Sequence, residues 1–309
     1  MDYIVSDAEA GRRLRDILRR SMGVSYSAMK SAKWDGRILL DGMAARVDEV
    51  VHAGQTVTML WPEPLPAYQL RPDDLPLHIP YEDDHLLVVD KPAPLASQSS
   101  AGHPDDSLEN ALFSRFGCPE SFIYRPVNRL DRGTSGLMVV AKTPHAQHRL
   151  QQQLHTEKFQ RIYLAVTEGV PEPPDGVVDA PIAKEEAASV RRVVCMQGQP
   201  SRTHYETLRA QGGRALVRLR LETGRTHQIR VHMKHIGCPV CGDFLYGTEL
   251  QELPGRFALH SAELVLCHPF TGETLHLFSP LPEQLSALLP LETGQAIPAP
   301  DGASRPAGR

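Results

Sequence analysis

One aspartate between two arginines is the residue pattern in this 309-residue sequence that most clearly suggests chemistry. The stretch Arg129-Leu-Asp-Arg132 contains Asp131, and its flanking positive charges favour an ionised carboxylate that acts as a nucleophile or base. The turn-forming Gly133-Thr-Ser-Gly136 follows and leads into the apolar Leu137–Ala141. These features predict a carboxylate presented on a loop before a strand. The alternative is an aspartate that only caps a turn and pairs with its neighbours.

The same residues resemble a known catalytic loop. Arg-Leu-Asp-Arg-x-Thr-Ser-Gly, at residues 129–136, is similar to the loop of the RluA-type pseudouridine synthases, which isomerise uridine to pseudouridine in structured RNA. That family most often has His before Arg-Leu-Asp, where this sequence has Asn128. The resemblance implies that Asp131 is catalytic and that Arg129 fills the space left by a flipped-out uridine. It also implies that Arg132 contacts the substrate.

Two later blocks resemble the same family in the same order. Lys158–Val166 alternates like a strand, and the resemblance makes Tyr163 the residue that stacks on uracil and takes part in proton transfer. Without the resemblance, core packing is the more common role of a strand tyrosine. Gly-Arg-Thr-His-Gln-Ile-Arg-Val-His, beginning at Gly224, implies that Arg230 pairs with the catalytic aspartate. Arg225 is expected to bind the substrate. For both arginines the alternative is contact with the RNA backbone or a surface charge on a helix.

The sequence has three further features to explain: Leu259, Lys91 and the cysteines. Leu259 is implied to form an apolar wall of the uracil pocket, and a core leucine is equally compatible with the sequence. Lys91 ends an apolar strand and is expected to be solvated and not catalytic. Cys238-Pro-Val-Cys241 suggests zinc, but no second pair stands at a customary spacing, so no metal is expected. The scattered, odd number of cysteines fits a reducing compartment.

Residues 8–61 have the pattern of a small RNA-binding module. Leu14–Met22 and Tyr26–Lys33 are predicted helices, and Gly36–Gly42 and Gln55–Leu60 are predicted strands. The stretch Gly-Arg-Ile-Leu-Leu-Asp-Gly within this arrangement resembles the S4-type RNA-binding domain. An ordinary small domain with a charged surface is the alternative, because residues 1–61 contain nine bases and eight acids.

The proposed domain order is the S4-like module, a linker, a catalytic domain and a tail. Prolines predict a stiff linker at residues 62–76, the catalytic domain follows at 77–288, and Pro, Ala and Gly predict a disordered tail at 289–309. The predicted fold class is α+β, with a mixed, mainly antiparallel central sheet and flanking helices in the catalytic domain.

Charge is strongly segregated along the chain despite a net charge of -4. Residues 189–235 contain ten Lys or Arg and two acids, whereas residues 61–110 contain ten acids and two bases. Such segregation favours an RNA-facing surface, although accidental clustering on solvated faces is the alternative. No long apolar stretch or export signal is visible, which predicts a cytoplasmic protein without a membrane partner, and we expect a monomer.

The function implied by the resemblance is isomerisation of specific uridines in structured RNA. An S4-like module favours large-subunit ribosomal RNA, with transfer RNA as the second candidate. The isomerisation is not a redox reaction and needs no energy input, and no nucleotide-binding glycine motif is present, so no cofactor is expected. A non-catalytic RNA-binding or ribosome-assembly protein is one alternative. The other is a nucleoside or glycoside hydrolase, which usually needs a second carboxylate.

Overall fold

The computed structural model describes residues 2–24, 26–34, 36–61, 70–100, 102–154 and 156–289. The helices are α1 (Leu14–Asp16), which continues as a π-helical turn over Ile17–Ser21, α2 (Tyr26–Trp34), α3 (Leu108–Arg115), α4 (Pro144–Gln153), α5 (Gln228–His235) and α6 (Glu283–Ser286). The first strands are β1 (Asp2–Ile4), β2 (Ile38–Leu40), β3 (Met43–Ala44), β4 (Thr56–Met59), β5 (His78–Glu82), β6 (Leu86–Lys91) and β7 (Ser135–Ala141). The later strands are β8 (Phe159–Glu168), β9 (Asp175–Asp179), β10 (Ile182–Lys184), β11 (Arg192–Val194), β12 (Arg202–Gln211), β13 (Arg214–Leu221), β14 (Leu259–Cys267) and β15 (Thr274–Phe278).

The N-terminal residues form a small sheet with its own apolar core. Strands β1, β4, β2 and β3 lie in that order and are all antiparallel. The apolar positions of the first helical segment are fully buried against the sheet, as their helical spacing predicts. The core consists of Val5, Leu14, Ile17, Leu18, Met22, Val24, Met29, Ala32, Ile38, Val51, Val57 and Met59.

A nine-stranded sheet is the largest element of the described residues that follow. Its strand order is β5-β6-β7-β14-β8-β13-β12-β9, and β15 adds to the free part of β14. The β7–β14 pair is parallel and the other pairs are antiparallel, which confirms the prediction of a mixed, mainly antiparallel sheet. A separate two-stranded sheet, β10 and β11, flanks it.

Local sequence signals account for several of these elements. The Thr143 side chain accepts a hydrogen bond from the Ala146 N–H, so it caps α4, and Pro144 occupies the first helical position. Gly212 and Gly213 have φ of 59° and 76°, which are the conformations required by the two-residue turn between β12 and β13. Strands β12 and β13 therefore form a hairpin.

Two predicted segments are only partly described. Residues 70–76 contain no helix or strand and are tied to α3, because the Asn110 side chain donates to the Arg71 carbonyl and the Asp73 N–H donates to the Asn110 carbonyl. The remaining linker residues, 62–69, and the predicted tail from 290 onwards lie outside the described residues. Among the helices that are described, none has the length and apolarity to cross a membrane.

A close backbone contact joins the two strands at the centre of the sheet. Gly136, at the start of β7, has φ of +107° and lies against Ser261 of β14. A Cβ atom at Gly136 would lie 2.3 Å from the Ser261 carbonyl oxygen and 2.7 Å from its nitrogen. Only glycine permits this approach, and it places the loop before β7 at the middle of the sheet.

We predict that Gly136→Ala strongly destabilises the protein. The substitution adds a backbone clash to the strain of a positive φ, so it should lower the free energy of unfolding by at least about 3 kcal/mol in urea titrations. Gly272→Ala is the matched control, since Gly272 has φ of +78° and no atom within 4 Å of its added Cβ. It should cost only about 1 kcal/mol. Equal losses would show that the close approach is not limiting.

Candidate active site

A cleft of about 670 Å³ crosses the middle of the large sheet. Its walls come from the loop before β7, from β8, β13 and β14, and from α5 with the loop that precedes it. Six of the seven predicted site residues line this cleft: Arg129, Asp131, Tyr163, Arg225, Arg230 and Leu259. Residues far apart in the sequence are therefore brought to one place.

A buried arginine connects two aspartates at the base of the cleft. Arg230 donates from Nε and Nη2 to the two carboxylate oxygens of Asp243, at 2.6 and 2.7 Å. Its Nη1 donates to Oδ2 of Asp131 at 3.0 Å. Burial opposes the charge of Arg230, but the hydrogen bonds and charges of both aspartates outweigh it and raise its pKa. Arg230 therefore remains protonated, and its two hydrogen bonds to Asp243 fix the orientation of the guanidinium.

Aromatic rings hold the same guanidinium from its faces. The Arg230 guanidinium carbon lies 4.0 Å from the centre of the Phe257 ring and 5.0 Å from that of Tyr246, both within the range of cation–π attraction. The Phe257 ring packs so closely on Gly133 that a Cβ there would lie 2.6 Å from it. The glycine after Asp131 and Arg132 thus makes room for the ring that supports Arg230.

Hydrogen bonds position the backbone on either side of Asp131. The Ser97 hydroxyl donates to the Leu130 carbonyl and accepts from the Leu130 N–H. The Thr134 N–H donates to the carbonyl of Asp131 itself, which closes a tight turn. Asp131 therefore sits on a fixed loop, and its side chain remains 26% exposed to the cleft.

Lys91 corrects an expectation from the sequence. It is fully buried rather than solvated, and its ammonium donates to the carbonyls of Pro92, Leu95 and, at 3.4 Å, Arg132. Burial lowers the pKa of Lys91 to about 7, with the charge of Asp131 opposing the shift. Because it joins the end of β6 to the loop that carries Asp131, Lys91 supports the site without lining the cleft.

Tyr163 and Leu259 form part of the cleft wall on adjacent strands. Both side chains are buried, at 5% and 4% exposure, and both line the cleft as well as contributing to the apolar core. Burial raises the pKa of the Tyr163 hydroxyl; Arg161 opposes the shift and Asp131 reinforces it. The phenol is therefore neutral at physiological pH, with its proton in place.

The loop before α5 is held by one buried amide. Gln228 accepts hydrogen bonds from the Arg225 N–H and the Thr223 hydroxyl, and donates to the carbonyl of Arg202 and to Thr203. This arrangement presents the partly exposed Arg225 side chain at the rim of the cleft. Helix α5 begins only at Gln228, after this loop.

The remaining predicted residues have different positions. Arg129 is exposed at the cleft, whereas Arg132 is exposed outside the cleft lining and lies beside Gly255. The structure does not bring Arg132 together with the other site residues. Asn128 is buried, and its side-chain oxygen accepts from the Val139 N–H at 2.9 Å. It therefore fixes the start of the loop to β7.

Comparison with known proteins agrees with this geometry. A family model described as RNA pseudouridylate synthase matches residues 85–235. The ribosomal large subunit pseudouridine synthase D of Xanthomonas campestris is 38% identical over 305 residues, covering 93% of this chain and 90% of that protein. The chain belongs to the RNA pseudouridylate synthase family. It is an RNA pseudouridine synthase of the RluA type, as the motifs predicted.

Further relatives support the same family. The synthase D of Pseudomonas aeruginosa is 39% identical to this synthase, covering 92% of this chain and 93% of that protein. Among solved structures, Human RNA Pseudouridylate Synthase Domain Containing 1 matches with a TM-score of 0.55 and 27% identity, over 66% of this chain and 83% of that one. Human RNA Pseudouridylate Synthase Domain Containing 4 matches with a TM-score of 0.54 and 26% identity, over 67% of this chain and 89% of that one. The fold is thus the pseudouridine synthase fold.

Sequence reasoning missed three charged residues of this synthase. Asp243 lies in the block Gly-Asp-x-Leu-Tyr-Gly at residues 242–247, where a charged residue between two glycines was a usable signal. Lys91 and Arg161 stand in strand-like segments, and nothing local predicts their burial. Their positions become informative only when the sheet is assembled.

The cysteine pair shows no sign of metal chemistry in the described part of the chain. Cys238 and Cys241 are both buried free thiols, and burial raises the pKa of each, to about 11 for Cys241. Within the residues that the structure describes, no three His, Cys, Asp or Glu side chains are grouped so as to hold a metal ion. The two cysteines instead contribute to the apolar core.

The buried lysine leads to a prediction about pH. Since the pKa of Lys91 is about 7 when folded and near 10.5 when unfolded, the unfolded chain binds more protons between these values, and stability rises with pH. From pH 7 to 8.5 this contribution should grow by about 1.5 kcal/mol. Lys91→Met removes it. Urea titrations of both proteins should therefore give a difference that changes with pH, and parallel curves would contradict the assignment.

Proposed function

We propose that this synthase modifies uridines in large-subunit ribosomal RNA and that Asp131 is its reacting carboxylate. Support for the RNA class comes from the relatives in Xanthomonas campestris and Pseudomonas aeruginosa, which are named as ribosomal large subunit synthases. The chain covers at least 90% of each of them, so the likeness extends over whole proteins.

The observation that carries the role of Asp131 is its position. Among the described residues that line the cleft, Asp131 is the one with a carboxylate side chain. The Arg230 guanidinium donates a hydrogen bond to it. The Arg230 guanidinium, 3.0 Å away, orients a carboxylate oxygen of Asp131, and a carboxylate can act as a nucleophile or a base. A glycoside hydrolase would need a second carboxylate in the same cleft. This composition therefore supports isomerisation over hydrolysis.

The reaction breaks the N1–C1′ bond of uridine, rotates the base and forms a C5–C1′ bond. The proton on C5 is lost and N1 gains one, so no atoms are exchanged overall. Asp131 acts either by attack on the sugar or base, or by removing the C2′ proton to give a glycal. Both routes need the same ionised carboxylate facing the nucleotide. In either route, the hydrogen bond from Arg230 holds the carboxylate of Asp131 in place.

Two further residues have proposed roles in handling the base. Tyr163 provides an aromatic face for the flipped uracil, and its neutral hydroxyl is a proton donor at physiological pH. Leu259 forms the apolar wall beside it. The exposed Arg129, two residues before Asp131, enters the RNA helix and occupies the space left by the uridine. Arg225, at the rim, and Arg132, outside the cleft, contact the RNA backbone.

The N-terminal residues 8–61 are proposed to be an S4-like RNA-binding module. Their support is the separate apolar core and the small antiparallel sheet with two helical segments. Both predicted helices and both predicted strands are present, and β1 and β3 are additional strands, with β1 and the core residue Val5 lying before residue 8. The first helical segment contributes the exposed Arg15, Arg19 and Arg20 to a basic surface, and the exposed Arg12 and Arg13 stand just before it. Such a surface binds phosphates and positions RNA without selecting its sequence.

Pseudouridine mapping of total RNA tests both the target and the role of Asp131. A strain lacking the gene is complemented with the native protein, with Asp131→Asn or with Asp84→Asn, and sites are mapped by carbodiimide treatment and primer extension. We expect one or a few sites in large-subunit ribosomal RNA to disappear, and to return with the native protein and with Asp84→Asn. Asp84 is an exposed aspartate outside the cleft and is the matched control.

Asp131→Asn should restore none of these sites, because the amide is neither a nucleophile nor a base, and we expect a loss of at least about a thousandfold in rate. The variant must be present at the native level with a native melting temperature. Full modification by Asp131→Asn would refute the role of the carboxylate. Sites that vanish only from transfer RNA would refute the proposed target and leave the reaction in place.

A further inference from the structure

Arg161 is a buried cation in the cleft that the reaction described above does not use. It lies on β8 two residues before Tyr163, so both side chains point to the same face of the sheet. The residue is 6% exposed, and it lines the cleft together with Tyr163 and Gly224. Its position is therefore part of the active cleft and not of the outer surface.

The Arg161 guanidinium has unsatisfied donors. Its Nε and Nη2 atoms are buried without a hydrogen-bond partner in the described part of the chain, and no described carboxylate lies within ion-pair distance. These two atoms form one edge of the guanidinium, the edge whose parallel N–H groups bind a carboxylate or phosphate in bidentate fashion. In Arg230 the same edge holds Asp243. Arg161 thus has the same binding edge without a protein anion.

A buried, unpaired charge is costly, and proteins rarely keep one without use. The nearby cleft residue Gly224 leaves room for this one, because a Cβ on Gly224 would lie 2.8 Å from Nη1 of Arg161. The other charged groups that line the cleft are Arg129, Arg225 and the Arg230–Asp131 pair. The surroundings of Arg161 are therefore positive, and an anion from outside the protein would complete them.

We propose that Arg161 binds a backbone phosphate of the RNA strand beside the flipped uridine. This inference rests on the proposed function of the cleft. Uracil and ribose are neutral in the substrate, and the phosphodiester is its one anionic group. Arg161 lies about 7 Å along the strand from Tyr163, so it meets the group joined to the nucleoside when Tyr163 holds the base.

The Nε and Nη2 atoms that form this binding edge are buried inside the protein. The Arg161 side chain or the loop at Gly224 therefore shifts when the phosphate enters. Bidentate contact with a phosphate oxygen pair then satisfies both Nε and Nη2. The flipped nucleotide would be fixed at two points, by its base at Tyr163 and by its phosphate at Arg161.

Equilibrium RNA binding tests this contact without relying on turnover. Each variant is made in the Asp131→Asn background and titrated with large-subunit ribosomal RNA, purified from the strain lacking the gene, over a range of salt concentrations. Arg161→Met should weaken binding about tenfold or more, and should reduce the slope of log affinity against log salt by about 0.7 to 1. Arg161→Lys should restore the slope but only part of the affinity, because lysine lacks the bidentate edge.

Two further variants separate this contact from other effects. Arg115→Met removes an arginine that pairs with Glu82 outside the cleft, and it should leave affinity and slope unchanged. Gly224→Ala keeps every charge but displaces the Arg161 guanidinium, so it should weaken binding like Arg161→Met. If Arg161→Met does not fold, Gly224→Ala decides the outcome.

Native affinity and slope in Arg161→Met, or in Gly224→Ala if the former does not fold, would overturn the proposal. The melting temperature gives a second criterion. A phosphate ligand predicts that Arg161→Met melts no lower than the parent, because an unpaired buried charge has been removed, whereas a purely structural arginine predicts a lower value. Failure of the unsubstituted protein to modify the RNA would instead refute the proposed function. The two failures are thus distinguishable.

Discussion

The buried guanidinium of Arg230 is the group on which the rest of the site depends. A cation removed from water is stable only if its donors and its charge are matched, and here Asp243 takes one whole edge of it. The remaining donor is left for Asp131 in a single direction. The position of Asp131, the proposed reacting carboxylate, is therefore set by Asp243, which does not line the cleft.

Several contacts from other parts of the fold hold Arg230 and the loop of Asp131 in position. Phe257 supports the face of the guanidinium, and Gly133 allows the ring to approach. Gly136 brings β7 against β14, which places the loop with Asp131 above the helix that carries Arg230. Lys91 ties the backbone of that loop to the end of β6. Each contact joins segments that are distant in the sequence, so the site forms only when the sheet is complete.

Much of the site was predictable because its reactive residues occur in continuous motifs. Asp131, Tyr163 and Arg230 each stand in a block of several characteristic residues. Turn glycines predicted the loop of Asp131, and strand alternation predicted the strand of Tyr163. Membership of the family followed from the same blocks. Local patterns and motif chemistry thus agree with the fold wherever neighbours in sequence determine the structure.

The burial of Lys91 and Arg161 was not predictable, for a physical reason. Whether a lysine at a strand end is solvated depends on what covers it, and for Lys91 the acceptors come from residues 92, 95 and 132. Similarly, the unpaired state of Arg161 is defined by the absence of a nearby carboxylate among the described residues, which no local pattern expresses. The role of Asp243 needs α5 and the following loop to pack together. Burial and pairing are tertiary properties.

The most direct test of this dependence is a double-mutant cycle between Arg230 and Asp243. Single-turnover rates of pseudouridine formation would be measured for the native protein, Asp243→Asn, Arg230→Gln and the double variant, with RNA identified by the mapping experiment. Asp243→Asn alone should slow the reaction about 10- to 100-fold, because the guanidinium loses its fixed direction. In the Arg230→Gln background the same change should have almost no further effect. Losses that multiply would contradict the claim that Asp243 acts on Asp131 through Arg230.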